Sequence, residues 1–190
     1  MPIEQRIAAA LAQQDISGAA TAAIRGYGPQ ILGYLRALIR DPEDASEVFS
    51  QFAEDLWKGL GGFRGECTVR VWAYKLAWHA ASRFARDPYR RRRERLGTTM
   101  ASRLAESVLS TAEGSQDRRS AEVARLRQRL APEEQTLLVL RVDRRLSWRD
   151  VAEVMAEEGA PVDEATLRKR FERLRAKLAR LAKEEGLLGR

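Results

Sequence analysis

The sequence predicts an all-α protein made of two small helical domains joined by a flexible linker. Apolar residues recur every three or four positions over most of the chain, which is the periodicity of amphipathic helices. Gly, Ser, Thr and Ala are frequent between residues 96 and 120, where the helical pattern is weak. We therefore expect one domain at residues 1–95, a linker at 96–120 and a second domain at 121–190.

The composition indicates a soluble globular protein with an anionic partner. Of the 190 residues, 44% are hydrophobic and 32% are charged, and the net charge is +7. A basic chain of this kind favours nucleic acid as a partner. The charge is also uneven, because residues 41–57 hold six acidic and no basic residues, whereas residues 90–95 hold five arginines. Two different partners are indicated.

The residue inventory argues against an enzyme. Cys67 and His79 are the only cysteine and histidine, so one chain cannot assemble a disulfide framework or an ordinary zinc site. The glycines at residues 59–62 lack the Lys-Ser/Thr of a phosphate loop. We predict no catalytic residue, no metal and no cofactor. No apolar run approaches the roughly 18 residues of a membrane span and no signal pattern opens the chain, so we expect a cytoplasmic protein without membrane insertion.

The first three helices are predicted from apolar spacing and punctuation. A short helix is expected from Ile3 to Leu11, and a second from Thr21 to Arg40, broken or bent near its middle by the glycines and the proline at residues 26–29. Asp41 followed by proline is a strong start signal, so a third helix should begin there and reach about Lys58. This helix has one apolar and one acidic face.

A glycine-rich loop at residues 59–66 should precede a fourth helix from Thr68 to about Arg86, with Phe63 anchoring the loop in the core. Aromatic residues interleaved with basic ones in this helix are typical of contacts to single-stranded nucleic acid, although a buried core helix has the same composition. Trp72 and Leu76 are interpreted as core residues. For Tyr74 and Trp78 the sequence favours neither interpretation.

The second domain should end in two helices joined by a turn. Ser147 and Asp150 form a capping-box-like start, residues 157–161 break the first helix, and Asp163 can cap the second. The second helix carries an apolar stripe opposite Lys169 and Arg173. A short helix, a turn and a basic helix are typical of a helix-turn-helix that enters the major groove. The alternative is an amphipathic surface helix whose basic residues serve solubility. The stripe consists of Leu167, Phe171, Leu174, Leu178 and Leu181.

The order of these motifs resembles that of a bacterial RNA polymerase sigma factor. An acidic helix is followed by a loop with Phe63-Arg64-Gly65, an aromatic helix with the segment 72–79, an arginine run, a linker and the segment 130–135 (LAPEEQ) before the helix-turn-helix. More narrowly, the chain is similar to the extracytoplasmic-function (ECF) group of the sigma-70 family. The resemblance covers nearly the whole sequence. It departs from the family pattern at Ser46, Ser50, His79 and Arg83, and in the longer turn before Asp163.

The resemblance implies three contact surfaces and two kinds of partner, core RNA polymerase and promoter DNA, with an anti-sigma factor as a further partner near Val48 and Phe52. The acidic helix would bind the clamp helices of core polymerase through Asp44, Glu47, Gln51, Leu56 and Trp57. The loop and fourth helix would recognise and melt the minus-ten element through Phe63, Arg64, Tyr74, Trp78, His79, Arg83 and Arg86. The last helix would read the minus-thirty-five element through Glu164, Arg168, Lys169, Glu172 and Arg173.

Two other functions fit the same residues. The chain could be a transcription regulator that binds duplex DNA through its helix-turn-helix and uses the N-terminal half for dimerisation or ligand sensing. It could also be an adaptor that binds polymerase or an anti-sigma factor without recognising a promoter. The acidic helix distinguishes these functions, because only the sigma factor and the adaptor need it to bind polymerase.

Overall fold

The computed structural model describes residues 1–86, 100–111, 125–156 and 160–185. The regular elements within these ranges are helices, which confirms the predicted all-α class. The chain divides into two units, Met1–Ser115 and Gln116–Arg190. None of the helices in the described ranges is long and apolar enough to cross a membrane.

The N-terminal unit is built around a long second helix. Within the described residues its elements are α1 (Ile3–Ala12), α2 (Ile16–Leu38), α3 (Pro42–Gly59), a 3-10 turn (Leu60–Gly62), α4 (Val69–Arg86) and α5 (Met100–Thr111). Helix α2 contacts each of the four other helices. The predicted first, third and fourth helices are confirmed to within a residue or two at their ends.

The predicted break in the second helix does not occur. Helix α2 continues through Pro29, whose missing N–H removes one helical hydrogen bond to Arg25, an exposed residue. The neighbouring glycines serve packing instead. A Cβ atom on Gly28 would lie 3.1 Å from Val108 of α5, and one on Gly26 would lie 2.8 Å from Ile3 of α1. The glycines therefore allow two other helices to approach α2 closely.

Helix α3 starts at the predicted cap. The Asp41 carboxylate accepts hydrogen bonds from the backbone N–H groups of Glu43 at 2.8 Å and Asp44 at 3.1 Å, and Pro42 takes the first helical position. The apolar face of the helix is buried, and Phe49 and Phe52 contact each other with ring centroids 5.6 Å apart. The acidic face is thereby turned away from the core.

Part of the linker predicted at residues 96–120 is a packed helix, α5. It packs against α2 and α3 through Ala101, Leu104, Ala105 and Val108, which are all buried. Two of these four side chains are alanine, so the stripe is weak in sequence even though its spacing is helical. Residues 100–111 are thus part of the N-terminal unit. The arginine run at 90–95, residues 112–120 of the predicted linker and the helix start near 121 lie outside the described residues.

The C-terminal unit encloses the predicted leucine stripe. A helical turn at 125–128 precedes α6 (Pro132–Leu138), a π-helical turn (Val139–Asp143), α7 (Trp148–Met155) and α8 (Glu164–Glu184). Leu174 and Leu181 of α8 are buried together with Leu126, Leu130 and Leu138, and Phe171 and Leu178 pack against this cluster. The interpretation of the stripe as the buried face of the last helix is confirmed.

An ion pair joins α8 to α6, because Lys177 Nζ lies 2.6 Å from a carboxylate oxygen of Glu134. The same oxygen accepts the N–H of Ala131 at 2.8 Å. Partial burial alone would raise the pKa of Glu134, but the hydrogen bonds from Lys177 and Ala131 and the charge of Lys177 outweigh burial and lower this pKa. The ionised form is therefore favoured by folding.

This ion pair should make a pH-dependent contribution to stability. Because the pKa of Glu134 is lower in the folded state, the contribution is present above its ordinary value of 4.5 and is lost as the pH falls below it. At pH 7, Lys177→Met should lower the free energy of unfolding by about 0.5–1 kcal/mol. Urea unfolding at pH 7 and pH 3.5 measures the difference from wild type, which should become smaller at the lower pH. Lys183→Met, at an exposed position of the same helix, should show no such convergence; a Lys177→Met deficit that is undiminished at pH 3.5 would contradict the assignment.

Candidate polymerase and nucleic-acid interfaces

The first half of α3 presents carboxylates without neutralising partners. Glu43 is exposed, and Asp44 and Glu47 are half-exposed. Among the described residues, none of these three carboxylates forms an ion pair. Exposed negative charge that the protein leaves uncompensated is available to a cationic surface. We call Glu43, Asp44 and Glu47 the acidic surface.

The second half of α3 is neutralised internally. Lys58 pairs with Glu54 at 3.2 Å, and the guanidinium of Arg83 on α4 forms a close ion pair with Asp55. Gln51 is exposed and donates a hydrogen bond to Asp55 at 2.8 Å. Of the acidic residues on this helix, only those of the acidic surface therefore remain open.

Three apolar residues assigned to partner binding on α3 are placed in the core. Leu56 and Phe52 are 0% exposed and Val48 is 3% exposed. Leu56, which the resemblance assigned to core binding, is therefore covered by other helices, as are Val48 and Phe52, near which an anti-sigma site was expected. They lie on the face of α3 that packs on the other helices. Trp57 is half-buried and keeps part of its ring accessible.

The glycine-rich loop ends in a half-exposed aromatic pair. The rings of Phe63 and Trp72 lie 5.2 Å apart at an angle of 45°, and the Trp72 ring rests on Gly59, where a Cβ would come within 3.1 Å. Gly65 has a φ of 72°, a backbone conformation that only glycine adopts readily. Arg64, which lies between Phe63 and Gly65 in sequence, is exposed. Phe63 thus packs on Trp72 at the surface and does not insert into the core as predicted.

The burial of the residues on α4 differs from what the sequence indicated. Tyr74 is 0% exposed and Trp78 is 7% exposed, and Tyr74 packs edge-to-face on Tyr34 of α2 at 5.6 Å. Trp72 and Leu76, interpreted as core residues, are half-exposed. Tyr74 and Trp78 are consequently unavailable for stacking on a base. His79 is half-exposed, and Arg83 and Arg86 are exposed.

Both caps predicted for the last two helices are formed. Ser147 Oγ accepts the N–H of Asp150 at 3.1 Å and donates to its carboxylate at 2.7 Å. The Asp163 carboxylate accepts the N–H of Thr166 at 3.1 Å. Helix α7 packs against α8, with the Trp148 and Phe171 rings 5.6 Å apart. Residues 157–159 of the predicted break lie outside the described residues.

The ring of Trp148 contacts two arginines, one of which lies at the start of α8. Arg168 lies over the Trp148 ring at 5.4 Å and pairs with Glu164 at 3.1 Å, and Arg141 approaches the same ring at 4.8 Å. Arg168 is thereby held by two contacts. The sequence interpretation missed Arg141, because it lies in a π-helical turn that apolar periodicity does not reveal.

The outer face of α8 carries cations without partners. Lys169 and Arg173 are exposed, and neither forms an ion pair with another described residue. Glu172 is also exposed and pairs with Arg175 at 3.3 Å, while Arg180 pairs with Glu184 at 3.7 Å. The first half of the helix therefore has the stronger uncompensated positive charge.

Comparison with known proteins adds one match. Residues 23–93 match the family Sigma-70 region 2. No match was found among curated proteins. The matched segment contains the acidic surface, the glycine-rich loop and α4, whereas α1, α5 and the C-terminal unit lie outside it. Residues 23–93, which make up less than half of the chain, are therefore similar to Sigma-70 region 2.

Proposed function

We propose that this chain is a sigma factor of the ECF group, which binds core RNA polymerase in the cytoplasm and directs promoter-specific initiation without catalysing a reaction itself. One observation carries the proposal: the Sigma-70 region 2 match contains both an uncompensated acidic surface and a surface of aromatic and basic residues. Two surfaces of opposite character on one small unit suit two different partners. A separate unit then offers a cationic helix for a second DNA element.

The polymerase contact is assigned to α3. Asp44 and Glu47 supply negative charge, while Gln51 and the accessible part of the Trp57 ring flank them with polar and aromatic surface. Aromatic side chains surrounded by polar groups are typical of interface anchors. Leu56 supports this surface from within the core and does not contact the partner.

The minus-ten contact is assigned to the loop and the exposed side of α4. The Phe63–Trp72 pair offers the aromatic surface for an unpaired base, because both rings are partly accessible and every base has a face that can stack. Arg64, His79 and Arg86 provide polar and cationic groups nearby in sequence for phosphates, whereas the charge of Arg83 is compensated by Asp55. Tyr74 and Trp78 are buried, so they stabilise α4 and do not contact the DNA.

The minus-thirty-five contact is assigned to α7 and α8 acting as a helix-turn-helix. Lys169 and Arg173 lie near the start of α8, where such a helix approaches base edges. Arg168, Glu164 and Glu172 complete the proposed face. Because one chain holds both DNA-reading surfaces, binding of the first raises the effective concentration of the second.

The test is transcription from a promoter library by core polymerase and the purified chain. Sequencing the transcripts should recover initiation sites that share two upstream elements at a constant spacing, and core polymerase alone should not use them. A chain that binds duplex DNA without binding core would favour the regulator. A chain that binds core but directs no selective initiation would favour the adaptor.

Removing the side-chain charges of Lys169 and Arg173 on α8 should weaken promoter binding. In Lys169→Ala/Arg173→Ala, each lost phosphate contact should lower the magnitude of the salt-dependence slope by about one, and each lost base contact should cost roughly 1–3 kcal/mol on the preferred site. Binding of the reconstituted holoenzyme to a promoter from the library, titrated at several salt concentrations, measures both effects. Thermal stability should change little, because both side chains are exposed.

Arg175→Ala/Arg180→Ala is the matched control, since it removes two exposed arginines that already pair with Glu172 and Glu184 on the same helix. This variant should keep most of the affinity and the salt slope. Equal losses in both double variants would mean that α8 contributes only general positive charge. No loss in either would remove α8 from the DNA contact.

A further inference from the structure

The first turn of α4 is capped by a carboxylate from α1. Glu4 accepts hydrogen bonds from the backbone N–H groups of Arg70 at 2.9 Å and Val69 at 3.3 Å. The N–H of Val71 donates to Thr68 Oγ1 at 3.2 Å, and that of Trp72 to the Thr68 carbonyl at 3.0 Å. The four N–H groups at the start of α4 are therefore all satisfied, and Glu4 supplies the acceptor for two of them.

The same carboxylate is tied to α2. The hydroxyl of Tyr27 donates to Glu4 at 2.7 Å. Burial, followed by the hydrogen bond and the negative charge of Glu4, raises the pKa of Tyr27, so its hydroxyl remains a donor across the physiological range. Hydrogen bonds to an ionised acceptor are stronger than neutral ones, and negative charge is favoured at a helix N-terminus. One side chain thus holds the start of α4 against two other helices.

The contact between Glu4 and the start of α4 lies next to the glycine-rich loop. Thr68 and Val69 join the glycine-rich loop to α4. Trp72, whose ring contacts that of Phe63, lies in the first turn of α4, which Glu4 caps. Helix α1 is itself fixed by Ile7, which is 0% exposed. The start of α4 is therefore set by a residue about 65 positions away in sequence and outside the segment that matches Sigma-70 region 2.

We propose that Glu4 is a positioning residue for promoter opening, and that α1 acts through it to hold the Phe63–Trp72 pair in place. This inference rests on the proposed sigma function. Thr68 already caps the helix locally, so the additional carboxylate orders two N–H groups, those of Val69 and Arg70, that lie between Phe63 and Trp72 in sequence. Glu4 does not contact DNA. It fixes the direction in which α4 leaves the loop.

Four variants separate positioning from general stability. Glu4→Ala removes the cap, and Glu4→Gln keeps one acceptor oxygen. Ile7→Val is the matched control, because it weakens the packing of α1 without touching the cap. Glu4→Ala/Thr68→Asp is the rescue variant, because it returns a carboxylate to the start of α4 without restoring the contact with α1.

Two measurements are made on the full-length chain. Hydrogen exchange followed by mass spectrometry reports on the amides of Val69 and Arg70, and permanganate reactivity of thymines reports opening of a library promoter by the reconstituted holoenzyme. In Glu4→Ala, exchange of these amides should be about tenfold faster and opening about tenfold weaker, because the variant loses the charge-assisted hydrogen bonds that Glu4 accepts from Val69, Arg70 and Tyr27. Affinity for core should stay within about twofold. Glu4→Gln should recover part of the opening, the rescue variant should recover amide protection but little opening, and Ile7→Val should retain opening.

The role of Glu4 is contradicted if Glu4→Ala opens the promoter as wild type does. It is also contradicted if Ile7→Val, compared at equal loss of thermal stability, is equally defective, or if the rescue variant, which lacks the contact with α1, opens the promoter as wild type does. A wild-type chain that opens no promoter with core polymerase would overturn the proposed function, and this inference with it. The outcomes for the two proposals are therefore distinguishable.

Discussion

Reversing the charges of Asp44 and Glu47 should lower the affinity of this chain for core RNA polymerase by about a hundredfold or more. Both carboxylates are half-exposed on α3 and unpaired among the described residues, so they are free to meet a cationic partner. In Asp44→Arg/Glu47→Arg, attraction becomes like-charge repulsion, which costs several kcal/mol at an interface, where about 1.4 kcal/mol is a factor of ten. Fluorescence anisotropy of the labelled chain, titrated with core, measures the dissociation constant.

The fold should tolerate this change. The main cost is the loss of a favourable charge in the first turn of α3, about 0.3–1 kcal/mol. Glu106→Arg/Glu133→Arg is the matched control, because it alters the net charge equally at two exposed carboxylates on α5 and α6. The control should bind core within about threefold of wild type at physiological salt. Unchanged affinity of the α3 variant for core would contradict the assignment of the polymerase contact to α3. Equal losses of affinity in the two variants would mean that only the net charge of the chain matters.

Local signals predicted the helix starts well. Asp41, Ser147 and Asp163 each cap the helix that follows them, because a cap needs only a side-chain oxygen two or three residues from an open N–H. The leucine stripe of α8 was equally predictable, since its spacing alone defines one face. These features depend on a few neighbouring residues and on no distant part of the chain.

The contact surfaces could be predicted less well, because burial depends on what lies across from a helix. Residues 72 and 76 share the same spacing as residues 74 and 78, but Tyr74 is buried and packs on Tyr34 of α2, a contact that the spacing does not reveal. The pairing of Asp55 with Arg83 likewise joins two helices and removes both charges from the uncompensated set. Sequence patterns identify which residues can form a surface. Tertiary packing selects the ones that do.

The cap supplied by Glu4 and the packing of α5 were missed for a similar reason. Glu4 caps a helix about 65 residues away, so no local motif marks it. Helix α5 buries two alanines among its four core positions, and alanine contributes little to an apolar pattern. In both cases the stabilising contact is with a distant element, and the local sequence resembles an ordinary surface helix or a linker.

The assignment of α5 to the N-terminal unit predicts a large loss of stability in Leu104→Asp. Leu104 is 6% exposed on the face of α5 that packs against α2 and α3. The substitution removes a buried leucine and places a carboxylate in apolar surroundings, so the free energy of unfolding of this unit should fall by about 3–5 kcal/mol. Urea unfolding followed by tryptophan fluorescence reports on it, because Trp57, Trp72 and Trp78 all lie there.

Ser107→Asp is the control, since it adds the same charge at an exposed position of the same helix. Its effect should stay within about 0.5 kcal/mol, the usual range for a surface substitution. The linker predicted from sequence requires a different result, because aspartate in a solvated segment costs nothing and both variants would then unfold as wild type does. A stability loss confined to Leu104→Asp would place the domain boundary after residue 111, whereas equal stability of the two variants would return residues 100–111 to the linker.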